Sequence, residues 1–170
     1  MSQFASYNAL LFSSDGSPPR LVELKASLPD PYSSQSKNSN SNAQIPHPEV
    51  YMEHVAQDHQ RPWGHQPVEA LDGMNKRFTE PYMVFYPTIS RDGLPFPVNL
   101  SIREIQGNAF KKHMCWCGDI IIAKYQSSRF TVMKNMTMAD YPLLKNWLAM
   151  HLSPVSTQNV EPGRQANDTQ

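Results

Sequence analysis

Residues 114–125, MCWCGDIIIAKY, give the strongest β-strand signal in the chain and constrain its fold more than any other stretch. Because successive side chains of a strand point to opposite faces, the segment divides into two sets. The set that we predict to face the core is Met114, Trp116, Gly118, Ile120 and Ile122. The other set is Cys115, Cys117, Asp119, Ile121, Ala123 and Tyr125. A strand of this kind requires a sheet with at least one apolar face.

Two hairpins and a central strand are predicted to build that sheet. Residues 1–28 contain two apolar runs on either side of the turn-forming SSDGSPPR, which predicts an N-terminal hairpin. The turn-forming QSSR predicts a second hairpin between 114–125 and a partner strand at 129–136. The aromatic and β-branched run PYMVFYP at 81–87 is bounded by prolines and predicts a buried strand.

Two helices are predicted to cover one face of the sheet. Ser101 and Glu104 have the spacing of a capping box and predict a helix that ends near the basic residues 111–113. Asp140 is predicted to cap a final helix that has Pro142 in its first turn. The apolar stripe of that helix is Leu144, Trp147, Leu148 and His151. The predicted fold class is α+β, an antiparallel sheet of two hairpins plus a central strand with two helices packed on one face.

Changes in composition divide the chain into four parts. The segment 29–49 is dominated by Ser, Asn, Gln and Pro and has too little apolar surface to offset the entropy of ordering it, which predicts a disordered linker. It separates the N-terminal hairpin, 1–28, from an α+β core at 50–153. The polar tail 154–170 is also predicted to be disordered. Signals between 50 and 80 are weak and predict a short helix and an irregular covering segment.

Charge and cysteine content disfavour several classes of partner and location. Lys and Arg number 15 and balance 15 Asp and Glu, so nucleic acid and anionic membranes are not expected partners. No run approaches the about 18 apolar residues that a membrane span needs, and the first residues do not match a signal peptide. With only 2 cysteines, no disulfide framework is expected, which predicts a reducing compartment, cytoplasmic or nuclear. The glycosylation sequons at Asn99, Asn135 and Asn167 are then chance matches.

Three stretches carry a resemblance to known sequences: EPYMVFYPTISRDGLPFPVNLSIREIQG, FKKHMCWCGDIIIAKY and MADYPLLKNWLAMH. Over about residues 80–151 the chain resembles uncharacterised hypothetical proteins of mushroom-forming fungi. The resemblance implies a shared fold unit and a fungal source. It implies no activity, and it transfers no catalytic residue.

Motifs that carry known chemistry are missing from the sequence. The chain has no glycine-rich phosphate loop, dinucleotide fingerprint, nucleophile elbow or metalloprotease histidine spacing. We therefore predict no cofactor and no catalytic residue. The predicted function is a non-enzymatic intracellular protein-interaction or regulatory module with a protein as partner. Aromatic side chains that serve either a core or a binding surface are Trp63, Tyr82, Phe85, Tyr86 and Trp116.

The alternative is an enzyme or a zinc-binding protein whose site combines distant residues. Its candidates are His54, His59, His65, Cys115 and Cys117. On a strand the two cysteines lie about 6.6 Å apart on one face and both reach one zinc ion at about 2.3 Å, but the histidine spacing pre-forms no second pair. A disulfide between such neighbours is disfavoured, because their Cβ vectors run parallel. We prefer the interpretation that both cysteines are small apolar side chains of a buried strand.

Overall fold

The described part of the structure, a computed structural model, comprises several segments of the chain. They are residues 4–28, 49–52, 55–56, 63–71, 76–88 and 93–155. The predicted linker 29–49 lies outside these residues except for Glu49, and the predicted tail 154–170 lies outside them except for Pro154 and Val155.

Seven strands and two α-helices form the described residues. The strands are β1 (Phe4–Phe12), β2 (Arg20–Ser27), β3 (Val50–Tyr51), β4 (Trp63–Val68), β5 (Tyr82–Pro87), β6 (Ile120–Tyr125) and β7 (Met133–Lys134). The helices are α1 (Leu100–Gln106) and α2 (Tyr141–Met150), and single 3-10 turns lie at Gly107–Ala109, Lys112–Met114 and Met138–Asp140. The predicted α+β fold class is confirmed.

The strands form one curled antiparallel sheet in the order β3-β2-β1-β6-β5-β4, and β7 pairs with β6. The predicted N-terminal hairpin is present, with β1 and β2 paired from Phe4 opposite Ser27 to Leu11 opposite Arg20. On its other side β1 pairs with β6, where Leu10 lies opposite Ile122. The hairpin therefore belongs to the same sheet as the rest of the core.

Each face of the sheet contributes side chains to its own buried apolar cluster. On one face Trp116, Ile120 and Ile122 pack with side chains of the two helices, which confirms the prediction of two helices on a single face. The helix residues in this cluster are Ile102, Leu144, Trp147 and Leu148. The opposite face closes over a second core of Ala9, Leu11, Val22, Leu24, Ala26, Met52, Met83, Phe85, Ile121, Ala123, Tyr125, Phe130 and Met133. This second core was not predicted from the sequence.

The predicted strand 114–125 is wrong in its first half, because β6 begins only at Ile120. Gly118 has a φ of 74°, a left-handed conformation that turns the chain and breaks the two-residue alternation. Met114, predicted to face the core, lies in a 3-10 turn and is 40% exposed. The face assignment from Ile120 onwards and for Trp116 is correct.

The partner strand predicted at 129–136 is wrong in length, because only the two residues of β7 form a strand there. Phe130 interrupts it with a φ of 53°, a backbone conformation that costs about 1–2 kcal/mol for a residue other than glycine. Its ring is fully buried and meets the ring of Tyr125 edge-on at 5.2 Å, and this packing offsets the backbone cost. The main neighbours of β6 are β1 and β5.

The first helix begins earlier than the capping-box pattern predicts. Its N-cap is Asn99, whose Oδ1 accepts a hydrogen bond from the backbone N–H of Ile102 at 3.0 Å. Ser101 and Glu104 therefore lie within α1 and do not form its cap. The helix also ends earlier, because Gly107 takes a φ of 52°, so the basic residues at 111–113 do not lie in its last turn.

The second helix has the predicted position, with Asp140 at its N-cap position. Of the predicted stripe, His151 lies one residue beyond the helix and is half-buried. Leu144, Trp147 and Leu148 are buried, as expected. Asp140 makes no capping hydrogen bond to α2, and it instead completes a capping box with Thr137 around the preceding 3-10 turn. Neither α2 nor any other helix of the described residues is long and apolar enough to cross a bilayer.

Strand β4 lies where the sequence predicted an irregular segment. It pairs with β5 along its whole length, from Trp63 opposite Pro87 to Val68 opposite Tyr82. Gly64 and Pro67 are uncommon within strands and weaken the strand signal of the sequence. In the structure Gly64 leaves room for the Tyr86 ring, and Pro67 is tolerated because β4 is an edge strand among the described residues.

Candidate functional site

The two helices cover only part of one sheet face. Leu10 and Phe12 of β1 lie beneath them, while the side chains that precede these residues on the same side of β1 are exposed. The pairing of β1 with β2 and of β2 with β3 places further side chains beside these residues on the same side of the sheet. We call it the open sheet face, and its residues are Phe4, Ser6, Asn8, Leu21, Glu23, Lys25 and Tyr51.

An aromatic pair lies on the open sheet face. The rings of Phe4 on β1 and Tyr51 on β3 meet edge-on at 5.4 Å, which places both rings above the intervening β2. Phe4 is 53% exposed, a large fraction for an aromatic side chain held in a ring contact. The Tyr51 hydroxyl donates to Glu49 Oε2 at 3.1 Å, and this hydrogen bond raises the pKa of Tyr51. The phenol is thus neutral and fixed in place.

The charges on the open sheet face are of both signs. Glu23 and Lys25 lie two residues apart on β2 and therefore on the same side of the sheet. Ser6 and Asn8 add uncharged hydrogen-bonding groups on β1. Such a face complements a polar protein surface better than it complements a uniformly charged one.

The two cysteines form a second candidate site. Their Sγ atoms lie 3.7 Å apart, and both thiols are free. Cys115 is buried and donates to the carbonyl oxygen of Lys112 at 3.3 Å, whereas Cys117 is half-buried. Burial, followed by the neighbouring Cys115, raises the pKa of Cys117 to about 12, so this thiol is protonated near neutral pH.

Trp116 fixes the backbone between the two thiols. Its Nε1 donates to the carbonyl oxygen of His151 at 3.0 Å, and its own carbonyl oxygen accepts from the backbone N–H of Asn99 at 2.8 Å. Cys117 forms an isolated antiparallel bridge with Val98. The sulfur pair is therefore attached to a segment held by both helical regions.

Only three of the five candidate zinc ligands, Cys115, Cys117 and His65, lie within the described residues. His65 lies half-buried in β4 opposite Phe85, while His54 and His59 lie outside the described residues. Within the described ranges no three or more His, Cys, Asp or Glu side chains lie close enough together to hold a metal ion. Cys115 and Cys117 thus have no third ligand there.

A cluster of charged side chains, which sequence reasoning missed, connects the sheet to α2. Lys124 Nζ lies 3.0 Å from Asp140 Oδ1 and 3.2 Å from Glu80 Oε2. The Tyr82 hydroxyl donates to the same Asp140 oxygen at 2.7 Å, and Lys134 forms an ion pair with Glu80. The pairing of Lys124 with Lys134 across β6 and β7 was the available signal, because two lysines side by side need carboxylates nearby.

The charged cluster predicts a pH-dependent stability. Burial acts to raise the pKa of Asp140, but hydrogen bonds from Thr137, Tyr82 and Lys124 outweigh it and leave that pKa below its ordinary value. The stabilisation is therefore present above the ordinary aspartate pKa and is lost as the pH falls through the lowered one. Asp140→Asn should cost about 1 kcal/mol near neutral pH, and this difference should shrink towards about pH 3.

Urea unfolding of both proteins across this pH range measures the effect. Glu23→Gln on the exposed side of β2 is the control, and its free energy of unfolding should differ little from that of the wild type at every pH. If the loss of unfolding free energy in Asp140→Asn does not change with pH, the charge on Asp140 contributes nothing to stability.

Comparisons with models of protein families, with curated proteins and with solved structures gave no match to this chain. The chemistry of these sites is accordingly inferred from their own residues. A fungal source and a fold unit shared with fungal proteins stay predictions.

Proposed function

We propose that this chain is a non-enzymatic module that binds another protein through the open sheet face. The aromatic pair of Phe4 and Tyr51 carries the proposal, because it lies in ring contact on a face that the helices leave uncovered. Aromatic side chains are enriched at the centres of protein interfaces and supply much of the binding energy there. Leu21, opposite Leu10 at the other end of the hairpin, is a second exposed apolar side chain on the same face.

The charge pattern favours a protein as the partner. A nucleic acid or an anionic membrane is recognised by a concentration of positive charge. Here Glu23 accompanies Lys25, and the whole chain has a formal net charge of zero. The partner surface that fits has an apolar side chain for the aromatic pair, surrounded by polar groups of both signs.

The state of the ionisable groups supports a non-enzymatic role. Tyr82 and Lys124 both donate hydrogen bonds to Asp140. Burial, followed by the hydrogen bond to Asp140, raises the pKa of Tyr82, so this phenol stays neutral and is a poor base or nucleophile. The two cysteines are free thiols, which supports the cytoplasm or the nucleus as the location.

Photo-crosslinking from the open sheet face tests the proposal. A photoreactive amino acid at Leu21 should give one defined heterologous adduct in extract of the source cells. Phe4→Ser should abolish that adduct while leaving the melting temperature nearly unchanged, because Phe4 is 53% exposed. The adduct is identified by mass spectrometry.

The matched control is the same photoreactive group at Met150, which is 73% exposed on α2. That position should not yield the adduct. No adduct from position 21, the same adduct from both positions, or an adduct that survives Phe4→Ser would contradict the proposal. A covalent dimer of the chain would instead identify a second copy as the occupant of this face.

A further inference from the structure

We propose that Cys115 and Cys117 form a site of reversible oxidation, where exchange with a low-molecular-weight disulfide of the glutathione type joins the two sulfurs. The two free thiols are already in contact, with 3.7 Å between their Sγ atoms. A disulfide bond of about 2.05 Å requires the sulfurs to approach by about a further 1.6 Å.

The observed contact between the sulfurs answers the objection that a regular strand raises against this bond. On a strand, neighbours on one face have parallel Cβ vectors and cannot aim their sulfurs at each other. Cys115 instead follows a 3-10 turn, and the left-handed Gly118 ends the segment. The two sulfurs lie in contact on either side of the Trp116 backbone in the sequence.

Exposure sets the order of the two exchange steps. Cys117 is the more accessible thiol, so it loses its proton and attacks the external disulfide, forming a mixed disulfide and releasing one glutathione thiolate. Cys115 then loses its proton and attacks the sulfur of Cys117, releasing the second glutathione. Two thiols of the protein are oxidised, one glutathione disulfide is reduced to two thiols, and the protons pass to the released thiolates.

The bond should form slowly and be reduced easily. Burial keeps Cys117 protonated near neutral pH, so little attacking thiolate is present. The ring that the bond closes spans only one intervening residue, Trp116, which is held by His151 and Asn99. A short, strained ring adds little stability and makes a disulfide more readily reducible.

A zinc ion is the competing occupant of the thiol pair. Two thiolates on a tetrahedral zinc ion lie about 3.8 Å apart, close to the separation of 3.7 Å seen here. Among the described residues, no group of three or more His, Cys, Asp or Glu side chains includes this pair, and zinc is one of the outcomes that the experiment distinguishes.

The test uses the full chain, stripped of metal by a chelator and incubated with glutathione disulfide. Intact-mass and peptide analysis should show loss of two hydrogen atoms, no retained glutathione, a bond between Cys115 and Cys117, and full reversal by dithiothreitol. Since thiolate limits the first step, the rate should rise about tenfold per pH unit between about pH 7 and pH 9.

The two single variants separate the roles of the thiols. Cys115→Ser should stop at a stable mixed disulfide on Cys117. Cys117→Ser should stay reduced, because Cys115 is 3% exposed. Melting curves of both variants establish that they are folded during the reaction.

Several outcomes would overturn the proposal. They are a stable mixed disulfide in the wild type, oxidation only in denaturant, disulfide-linked dimers, or modification of both single variants at equal rates. Stoichiometric zinc that remains bound through gel filtration and blocks both thiols would assign the pair to metal chelation instead.

Discussion

Trp116→Ala should lower the free energy of unfolding by about 3–5 kcal/mol, enough to unfold a domain of ordinary stability. Trp116 is 1% exposed and belongs to the cluster between the sheet and the helices. Its ring lies 6.1 Å from that of Tyr86 and 6.2 Å from that of Trp147. Its removal would leave a cavity and deprive the His151 carbonyl of the indole donor.

Urea and thermal unfolding measure the loss, and two further variants identify its source. Trp63→Ala, at a half-buried residue of β4, should cost less because its ring is only partly withdrawn from water. Trp116→Phe should fall between the wild type and Trp116→Ala, since it keeps much of the ring volume but loses the donor. Equal losses for Trp63→Ala and Trp116→Ala would mean that Trp116 is not the centre of this core.

The side of the sheet that packs against the helices could be predicted from the sequence. Ile120 and Ile122 face the helices as expected, because the alternation of side chains along β6 is a local property. Trp116 joins the same cluster although Gly118 interrupts the alternation before β6. The stripe on α2 was predicted for the same reason, since the spacing of Leu144 and Leu148 depends only on the helix.

The second core depends on contacts that no local pattern reports. Val22 and Leu24 of β2 share one cluster with Phe85 and Tyr125, residues far away in the sequence, because the sheet curls. Curl arises from the accumulated twist of paired strands, which requires the strand order to be known. The prediction of a single buried face therefore missed half of the core.

The open sheet face was likewise beyond sequence reasoning. A helix of 10 residues, the length of α2, is about 15 Å long. Six strands spaced by about 4.8 Å span about 24 Å, so α2 alone does not cover the sheet, and the side chains of Phe4, Ser6 and Asn8 stay exposed. Which strands remain uncovered follows from the strand order and not from any motif.

The sequence shows the two cysteines as a motif, but it does not show the contact between their sulfur atoms. The spacing of Cys115 and Cys117 is evident in the sequence, whereas neither their sulfur contact nor the left-handed conformation of Gly118 could be read from it. That conformation ended the predicted strand early, so the strand-based argument against a disulfide does not apply to this segment.

Asn99→Ala should cost about 2–4 kcal/mol, because one buried side chain satisfies three backbone groups. Asn99 is fully buried, which also leaves its sequon inaccessible to a glycan in the folded state. Its Oδ1 caps α1 at Ile102, while its Nδ2 donates to the carbonyl oxygens of Phe12 at 2.9 Å and Gly118 at 2.8 Å. These bonds join β1, α1 and the segment before β6.

Asn99→Asp separates the cap from the two donor bonds. The aspartate keeps an acceptor for α1, but it places a carboxylate against two carbonyl oxygens in a buried site, which should raise its pKa well above the ordinary value. Near neutral pH this variant should be at least as unstable as Asn99→Ala. A raised carboxyl pKa favours the folded state once the group is protonated, so Asn99→Asp should gain stability relative to Asn99→Ala as the pH falls towards about 4. If the free energies of unfolding of the two variants change with pH in the same way, the amide donors of Asn99 do not hold β1 and the segment before β6 together.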